Sequence, residues 1–143
     1  MSDLSYFVVQ KSIIERLRGD AALMAKVTGV NNFTIGNTNF PYVVIGDPVD
    51  NAEVVLGAFG QDIVMQIHAY SRYAGAEEVY SILQDIVRLL GNKILALEDG
   101  WTGTGSWYMG TRVFTEGSPD SQTYHGVTRY RYRTLKPQDE NEC

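Results

Sequence analysis

A change of hydrophobic period within residues 61–90 constrains the fold more than any other feature of this chain. From residue 63 to 69 the apolar residues alternate with polar ones, as expected for a half-buried strand. From residue 79 onward they recur at helical spacing and form one apolar stripe, with Asp85 on the opposite side. The segment therefore predicts a strand followed by a helix, and a sheet with that helix on one face. The apolar positions are Ile63, Met65, Ile67 and Ala69 in the strand, and Val79, Ile82, Leu83, Ile86, Val87 and Leu90 in the helix.

Length and charge exclude several classes of protein. The chain has 143 residues, enough for one domain with its own core. Its net charge of −5 argues against a dedicated DNA- or RNA-binding domain, because such domains take most of their affinity from a basic surface. No apolar run approaches the roughly 20 residues that span a bilayer, and no basic secretory segment opens the chain. The single cysteine, Cys143, allows no internal disulfide, which fits a reducing compartment.

Two helices are predicted near the start, at residues 3–18 and 21–27. Asp20 is placed to cap the second helix, since a carboxylate there can accept a hydrogen bond from a free backbone N–H. In the first helix, the apolar side that meets the core is assigned to Leu4, Phe7, Val8, Ile14 and Leu17.

The remaining elements are predicted to be strands and loops. Prolines bound a compact strand at residues 40–48, and residues 33–35 suggest a short strand before it. Residues 49–60 contain acids and small residues, so they are interpreted as a long mobile excursion of the kind that often has a function. Residues 111–115 and 123–135 are predicted to pair as strands across a turn.

These elements together predict an α+β fold. It is a two-layer domain in which a mixed, mainly antiparallel sheet of about four or five strands carries the helices on one face. Residues 1–135 are expected to form this single domain. Residues 136–143 are polar and acidic, and we expect them to be a disordered tail.

The chain offers little that resembles a catalytic or metal site. His68 and His125 have no His or Cys at ligand spacing, so each is interpreted as an exposed or hydrogen-bonded strand residue. Ser106 lacks the surroundings of a nucleophile elbow, and Gly103 and Gly105 do not continue into a dinucleotide fingerprint. We therefore expect a protein that is not an enzyme and that uses no cofactor and no metal.

An alternation of arginine and tyrosine near the C-terminus is the most unusual local feature. In a strand, Arg129, Arg131 and Arg133 lie on one face, and Tyr130 and Tyr132 lie on the other. Arginine and tyrosine are both enriched in protein interfaces. Three interpretations stay open: a solvated strand face, a contact surface for an acidic partner or a neighbouring subunit, and contact with a nucleic acid backbone. The net charge disfavours the last.

Aromatic residues around a glycine-rich segment allow a different class of function. Trp101, Trp107 and Tyr108 lie among four glycines within residues 100–110. The structural interpretation is a strand pair with close turns and packed aromatic rings. The alternative is a binding domain in which these three side chains line a pocket for a small ligand.

The order of segments along the chain is similar to that of the tail completion, or tail terminator, proteins of long-tailed bacteriophages and prophages. The resemblance rests on Phe-Pro-Tyr-Val-Val-Ile-Gly at residues 40–46, followed by an acidic segment, and on Ile-His-Ala-Tyr-Ser at residues 67–71. It continues with Gly-Trp at residues 100–101 and His-Gly-Val-Thr-Arg-Tyr-Arg at residues 125–131. It spans residues 13–134.

The resemblance implies a structural virion protein, made in the bacterial host cytoplasm and placed at the head–tail junction. Such proteins form a ring, usually a hexamer, that caps the tail tube, ends tube polymerisation and presents a surface to the head. The implied partners are further copies of the chain, the tail tube protein, the head-side neck or connector protein, and DNA that passes through the lumen without specific binding. No membrane is implied, and a head-side neck position is the alternative. The candidate contact residues are Arg129, Arg131, Arg133, Tyr130, Tyr132, Asp50, Glu53, Phe59 and His68.

Overall fold

A computed structural model describes residues 4–32, 39–55, 58–72, 75–118 and 122–137, with residues 51–55, 58 and 59 described by their backbone alone. Three helices and five strands follow one another along these residues. In chain order they are α1 (Tyr6–Arg18), α2 (Ala21–Met24), β1 (Val30–Asn31), β2 (Tyr42–Val55), β3 (Ala58–Ser71), α3 (Glu77–Leu90), β4 (Thr102–Glu116) and β5 (Thr123–Pro137).

The strands form one five-stranded sheet in the order β1-β2-β3-β5-β4. The short β1 is parallel to β2, and every other neighbouring pair is antiparallel. The helices pack on one face of this sheet, where the apolar side chains of β3 and α3 join a single core. This arrangement confirms the predicted α+β fold with a mixed, mainly antiparallel sheet. None of the helices in the described ranges is long and apolar enough to cross a membrane.

The strand and helix predicted from residues 61–90 are both present, and their apolar faces meet. Every predicted apolar position of β3 is buried, and so is the stripe of α3 apart from the half-buried Val87. The helix comes close to the sheet at Gly126, where a Cβ atom would lie 2.5 Å from Leu83 Cδ1. The prediction that Asp85 lies on the solvated side of the helix is wrong, because its side chain is buried. Its carboxylate faces α2 and lies 2.7 Å from Lys26 Nζ, so an ion pair offsets the burial.

Helix α1 confirms the predicted apolar side only in part, since Val8 and Leu17 are buried whereas Leu4 and Phe7 are exposed. It begins at Tyr6, and its buried residues are Val8, Val9, Ile13 and Leu17. Leu4 precedes the helix and is 55% exposed, and Phe7 is 69% exposed on the side away from the core. The sequence contains two apolar stripes on this helix, and the aliphatic one packs while the one with Phe7 stays in solvent. Asp20 caps α2 as predicted, with its Oδ2 accepting a hydrogen bond from the backbone N–H of Leu23.

The excursion predicted at residues 49–60 is instead the end of a long β-hairpin. Strand β2 continues to Val55, and β3 begins at Ala58. The register with β3 shifts between Gly46 and Val49, so a β-bulge carries the chain past Pro48, and Asp47 takes a positive φ of 52° there. A proline in this position resembles the end of a strand, which is why the sequence does not reveal the continuation.

The glycine-rich segment is also strand. Residues 102–116 form the single strand β4, with register shifts between Gly103 and Gly105 and between Tyr108 and Gly110. Gly110 has a φ of 118°, so a glycine serves a bulge where a turn was predicted. Strand β5 pairs with β4 as predicted and extends to Pro137, which takes two residues from the predicted tail. Residues 138–143 of that tail, and the strand predicted at 33–35, lie outside the described residues.

Candidate assembly surface

One face of the sheet points away from the helices, and we call it the open face. The even-numbered residues of β3 and the odd-numbered residues of β5 lie on it, opposite to the core positions. No helix in the described part of the chain covers it. Its polar and aromatic residues include Tyr42, Asp62, Gln66, His68, Tyr70, Trp107, Arg112, Phe114, His125, Arg129, Arg131 and Arg133.

Strand β5 divides its arginines and tyrosines between the two faces, as the alternation predicts. Tyr130 and Tyr132 point toward the helices and are 0% and 2% exposed. Burial raises the pKa of both phenols well above the usual range. Their inclusion among the contact residues is therefore wrong, because both rings belong to the core of the protein itself. The rings also stack on each other, with centroids 6.3 Å apart.

The arginines of the open face form a cluster around one carboxylate and one indole ring. Arg131 Nε lies 2.7 and 2.9 Å from the two carboxylate oxygens of Asp62, and Arg131 Nη2 donates to the same carboxylate. The guanidinium groups of Arg131 and Arg133 lie 5.3 and 5.4 Å from the centre of the Trp107 ring. That ring rests against Gly105, where a Cβ atom would lie 2.3 Å from it. We call Asp62, Trp107, Arg131 and Arg133 the arginine–tryptophan cluster.

Arg129 has a different environment from the other two arginines. It is exposed, and it lines a shallow pocket of about 420 Å³ at the Gly110 bulge. Gln66, Arg112 and Phe114 line the same pocket. The three arginines predicted to form one stripe therefore differ. Arg129 faces solvent, whereas Arg131 and Arg133 belong to the arginine–tryptophan cluster, whose charge is partly neutralised by Asp62.

A second group on the open face links two histidines and two carboxylates, and we call it the histidine chain. His68 Nδ1 lies 2.8 Å from His125 Nε2. His68 Nε2 lies 3.3 Å from Asp47 Oδ2, and His125 Nδ1 lies 2.9 Å from Glu116 Oε1. Aromatic rings surround the pair: Tyr70 stacks on His125 at 4.3 Å, and Phe114 meets His125 edge-on at 4.7 Å.

The number of protons in the histidine chain decides how many of its contacts are hydrogen bonds. Its three contacts need three N–H hydrogens, because the carboxylates at both ends can only accept. Two neutral imidazoles supply two. A third proton completes the chain and leaves one positive charge on the two rings, whereas a fourth would place two N–H groups against each other.

His68 is the ring that resists protonation. Burial lowers the pKa of His68, and the neighbouring His125 lowers it further, while Asp47 acts in the opposite direction.

The histidine chain leaves no local signal in the sequence, because its members are far apart there. His68 and His125 are separated by 57 residues, and each alone resembles an ordinary strand residue. The register pairs Tyr70 with His125, which sets His68 diagonally across from it on the same face. The available signal is that both histidines fall on the polar side of strands that could be neighbours.

The acidic and aromatic candidates of the hairpin have mixed positions. Asp50 lies on the helix side of β2 after the bulge, and its Oδ2 accepts a hydrogen bond from Gln61 Nε2 at 2.9 Å. This hydrogen bond joins β2 to β3 and stabilises the hairpin on its core-facing side. Glu53 stands opposite Gly60, and Phe59 stands between Val54 and Lys136. The side chains of Glu53 and Phe59 lie outside what the structure describes.

The aromatic residues suggested to line a ligand pocket are not together. Trp101 is buried, with Lys136 Nζ 5.7 Å from its ring centre. Trp107 lies on the open face, and Tyr108 lies on the other side of β4 with its hydroxyl 2.6 Å from Thr111 Oγ1. The pocket interpretation thus loses its geometric basis. No group of three or more metal-ligating side chains occurs within the described ranges.

Strand β4 is one edge of the sheet, and it carries an exposed apolar run. Trp107, Tyr108 and Met109 are 41%, 39% and 44% exposed. A long edge strand with apolar side chains invites pairing with another chain. The open face and this edge are therefore the surfaces of the described structure that suit assembly rather than chemistry.

A profile of the family described as tail completion protein gp17 matches residues 11–135, which run from α1 to the end of β5. The chain belongs to the tail completion protein gp17 family. The family consists of structural phage tail proteins. The tail completion protein gp17 of Bacillus phage SPP1 is 29% identical over 124 residues, which cover 87% of this chain and 90% of the relative.

Solved structures show the same fold as this member of the gp17 family. A chain from the virion of a native gene transfer agent particle has a TM-score of 0.79 at 20% identity, covering 94% of this chain and 99% of the other. The structure of bacteriophage SPP1 gp17 has a TM-score of 0.61 at 23% identity, covering 99% and 96%. The matched span includes both the open face and the β4 edge.

Proposed function

We propose that this chain is a structural protein of the virion tail that assembles into a hexameric ring on the end of the finished tail tube. The ring ends tube polymerisation and presents a joining surface to the head-side neck or connector protein. The protein is made in the host cytoplasm and has its place at the head–tail junction. The observation that carries this proposal is membership of the tail completion family over nearly the whole described fold.

The exposed surfaces support assembly with other copies of the chain. The two edges of the sheet differ in sequence, so a contact between them is heterologous and repeats from one subunit to the next. A heterologous contact generates a ring when its rotation closes, and a ring protects edges that would otherwise aggregate.

The charge of the chain suits a passage for DNA. A net charge of −5 on each subunit gives a ring a negative field, which disfavours binding to the DNA backbone and lets DNA move through the lumen. The arginines of the open face are local exceptions, and Arg131 among them is bound to Asp62. No specific contact with DNA is proposed.

Electron microscopy of tail tubes mixed with the purified protein tests the proposal. We expect rings at one end of the tubes and a ring mass by light scattering at concentrations where rings are seen. A protein that stays monomeric and leaves all tube ends bare at every concentration would contradict it. Rings found on isolated connectors, and absent from tubes, would support the head-side neck position instead.

A further inference from the structure

Each edge of the sheet has one stretch that is both regular and open. On β2, the register with β3 is continuous over the seven residues 49–55. On β4, the register with β5 is continuous over the seven residues 110–116. No strand within the described residues pairs with either stretch on its outer side.

The rest of each edge is either occupied by another strand or interrupted by bulges, so it offers no continuous ladder. The first part of β2 is occupied by β1, which pairs with Val43 and Val44. The first part of β4 contains both bulges, and the Asn92 side chain accepts a hydrogen bond from the backbone N–H of Tyr108 at 3.1 Å. The two open stretches are therefore fixed in position and equal in length.

The strand directions already match for pairing between copies. Successive neighbours β2, β3, β5 and β4 are antiparallel, so β4 runs opposite to β2. In a ring whose axis runs roughly parallel to the strands, rotation from one subunit to the next keeps the strand direction. The β2 of the next subunit then has the same direction as the β2 of the first. Strand β4 of one subunit therefore meets β2 of the next in the antiparallel sense, which continues the sheet.

We propose that residues 110–116 of one subunit pair with residues 49–55 of the next. The two stretches are antiparallel and overlap over their whole length, so residue 110 is opposite residue 55 and residue 116 is opposite residue 49. This inference rests on the ring proposed above and names the surface that forms it. In this register Arg112 stands opposite Glu53, and Thr111 stands opposite Val54. Residues on the open face meet residues on the open face, and the helix sides meet likewise. A directly opposed pair of unlike charges stabilises an antiparallel ladder.

The two stretches lie toward opposite ends of the strands, so neighbouring subunits are staggered. Ala52, in the middle of one stretch, pairs with Gln61 at the hairpin end of the sheet. Val113, in the middle of the other, pairs with Gly126 at the opposite end. A sheet that closes on itself accommodates such a stagger by tilting its strands against the axis.

Engineered cysteines test this register in solution. In a Cys143→Ser background, Val54→Cys and Thr111→Cys are placed in one chain, mixed with tail tubes and oxidised. Opposed Cα atoms of an antiparallel pair are about 4.5–5.5 Å apart, which is within disulfide range. We expect a ladder of covalent oligomers on a denaturing gel. The matched control combines Val54→Cys with Arg112→Cys, which the register places on opposite faces and which should give no ladder.

A mixture of the two single-cysteine proteins distinguishes this contact from a symmetric one. Each single variant alone should give no covalent product, and the mixture should stop at covalent dimers. A ladder from the control pair, or covalent dimers from one single variant alone, would overturn the register. Rings on tubes without any ladder from the matched pair would overturn the edge contact while leaving the proposed function intact. Bare tubes with the Cys143→Ser protein would count against both.

Charge reversal gives an independent readout that needs no cysteine. Arg112→Glu and Glu53→Arg should each raise the protein concentration needed for half-maximal capping by about tenfold, which corresponds to about 1.4 kcal/mol. The protein with both substitutions should recover capping, because each interface then carries the reversed pair. Equal loss in the double variant and the single variants would overturn the pairing of Arg112 with Glu53.

Discussion

The two faces of strand β5 carry alternate residues of one short sequence and have opposite properties. On the helix side, Tyr130 and Tyr132 are enclosed by core side chains. On the open side, Arg131 and Arg133 lie over Trp107, and Arg129 is exposed. The period of two along a strand separates these environments completely, so that neighbouring residues contribute to different properties of the protein.

Residue type alone therefore does not identify the contact surface. Tyrosine and arginine are both common in interfaces, yet here the tyrosines stabilise the fold and the arginines lie on the surface. Substitutions on the helix side should change the free energy of unfolding, while substitutions of exposed residues on the open face and the edge should change assembly.

The greatest loss of stability is expected on the helix side. Tyr132→Ala should lower the free energy of unfolding by about 3–5 kcal/mol, because it leaves a large cavity in the core. The matched control is Tyr132→Phe, since the Tyr132 hydroxyl is buried and finds no hydrogen-bond partner among the described residues. Urea unfolding of both variants measures the difference. Similar losses for alanine and phenylalanine would contradict the assignment of this ring to the core.

An intermediate effect on the free energy of unfolding is expected on the open face at the buried carboxylate of Asp62. Arg131→Ala should lower the free energy of unfolding by about 1–3 kcal/mol, because it leaves the buried carboxylate of Asp62 without this guanidinium. Arg129→Ala, two residues away on the same face, should change it by less than about 0.5 kcal/mol. The same urea titration compares the two. An equal effect of the two substitutions would show that the Asp62 contact contributes nothing.

A pH dependence is expected from the histidine chain. The pKa of His68 is lowered in the folded protein, so between that pKa and the ordinary value of about 6.5 the unfolded chain binds more protons. Stability should therefore fall as the pH is lowered from about 7.5 through this window. Unfolding measured at several pH values should show a smaller slope for His68→Gln than for the parent protein. An unchanged slope would remove His68 as its source.

At Arg129, a minimal effect on folding should accompany a measurable effect on assembly. Arg129→Glu is expected to leave the free energy of unfolding within about 0.5 kcal/mol of the parent value. If Arg129 contacts a neighbouring subunit or an acidic partner, the fraction of capped tubes falls. Arg131→Glu is unsuitable for this purpose, because the new carboxylate would face Asp62. Unchanged capping would define Arg129 as a solvated residue.

The parts of the fold with a strong local period could be predicted from sequence. The alternation in β3, the stripe of α3 and the two faces of β5 each contain the information that decides their burial. The buried side of α1 could not, because the helix carries two apolar stripes and only packing against the sheet selects the one with Val9 and Ile13. The hairpin end and β4 resemble loops in sequence because bulges absorb a proline or a glycine that usually ends a strand.

The candidate surface was less predictable because it depends on contacts between distant strands. The contact of Asp62 with Arg131 and the pair of His68 with His125 both cross from β3 to β5. Neither contact leaves a local pattern, since each residue alone resembles a solvated strand residue. The register of two strands must be known before these side chains can be paired.

Whether this protein caps the tail tube is decided by adding it to tubes that are still growing. A cap acts only at the ends, so elongation should stop when the protein is present at a small fraction of the tube subunit concentration. Tube length is measured by electron microscopy as a function of the amount added. Elongation that continues unchanged, or that stops only when the protein equals the tube subunits in number, would contradict a capping role.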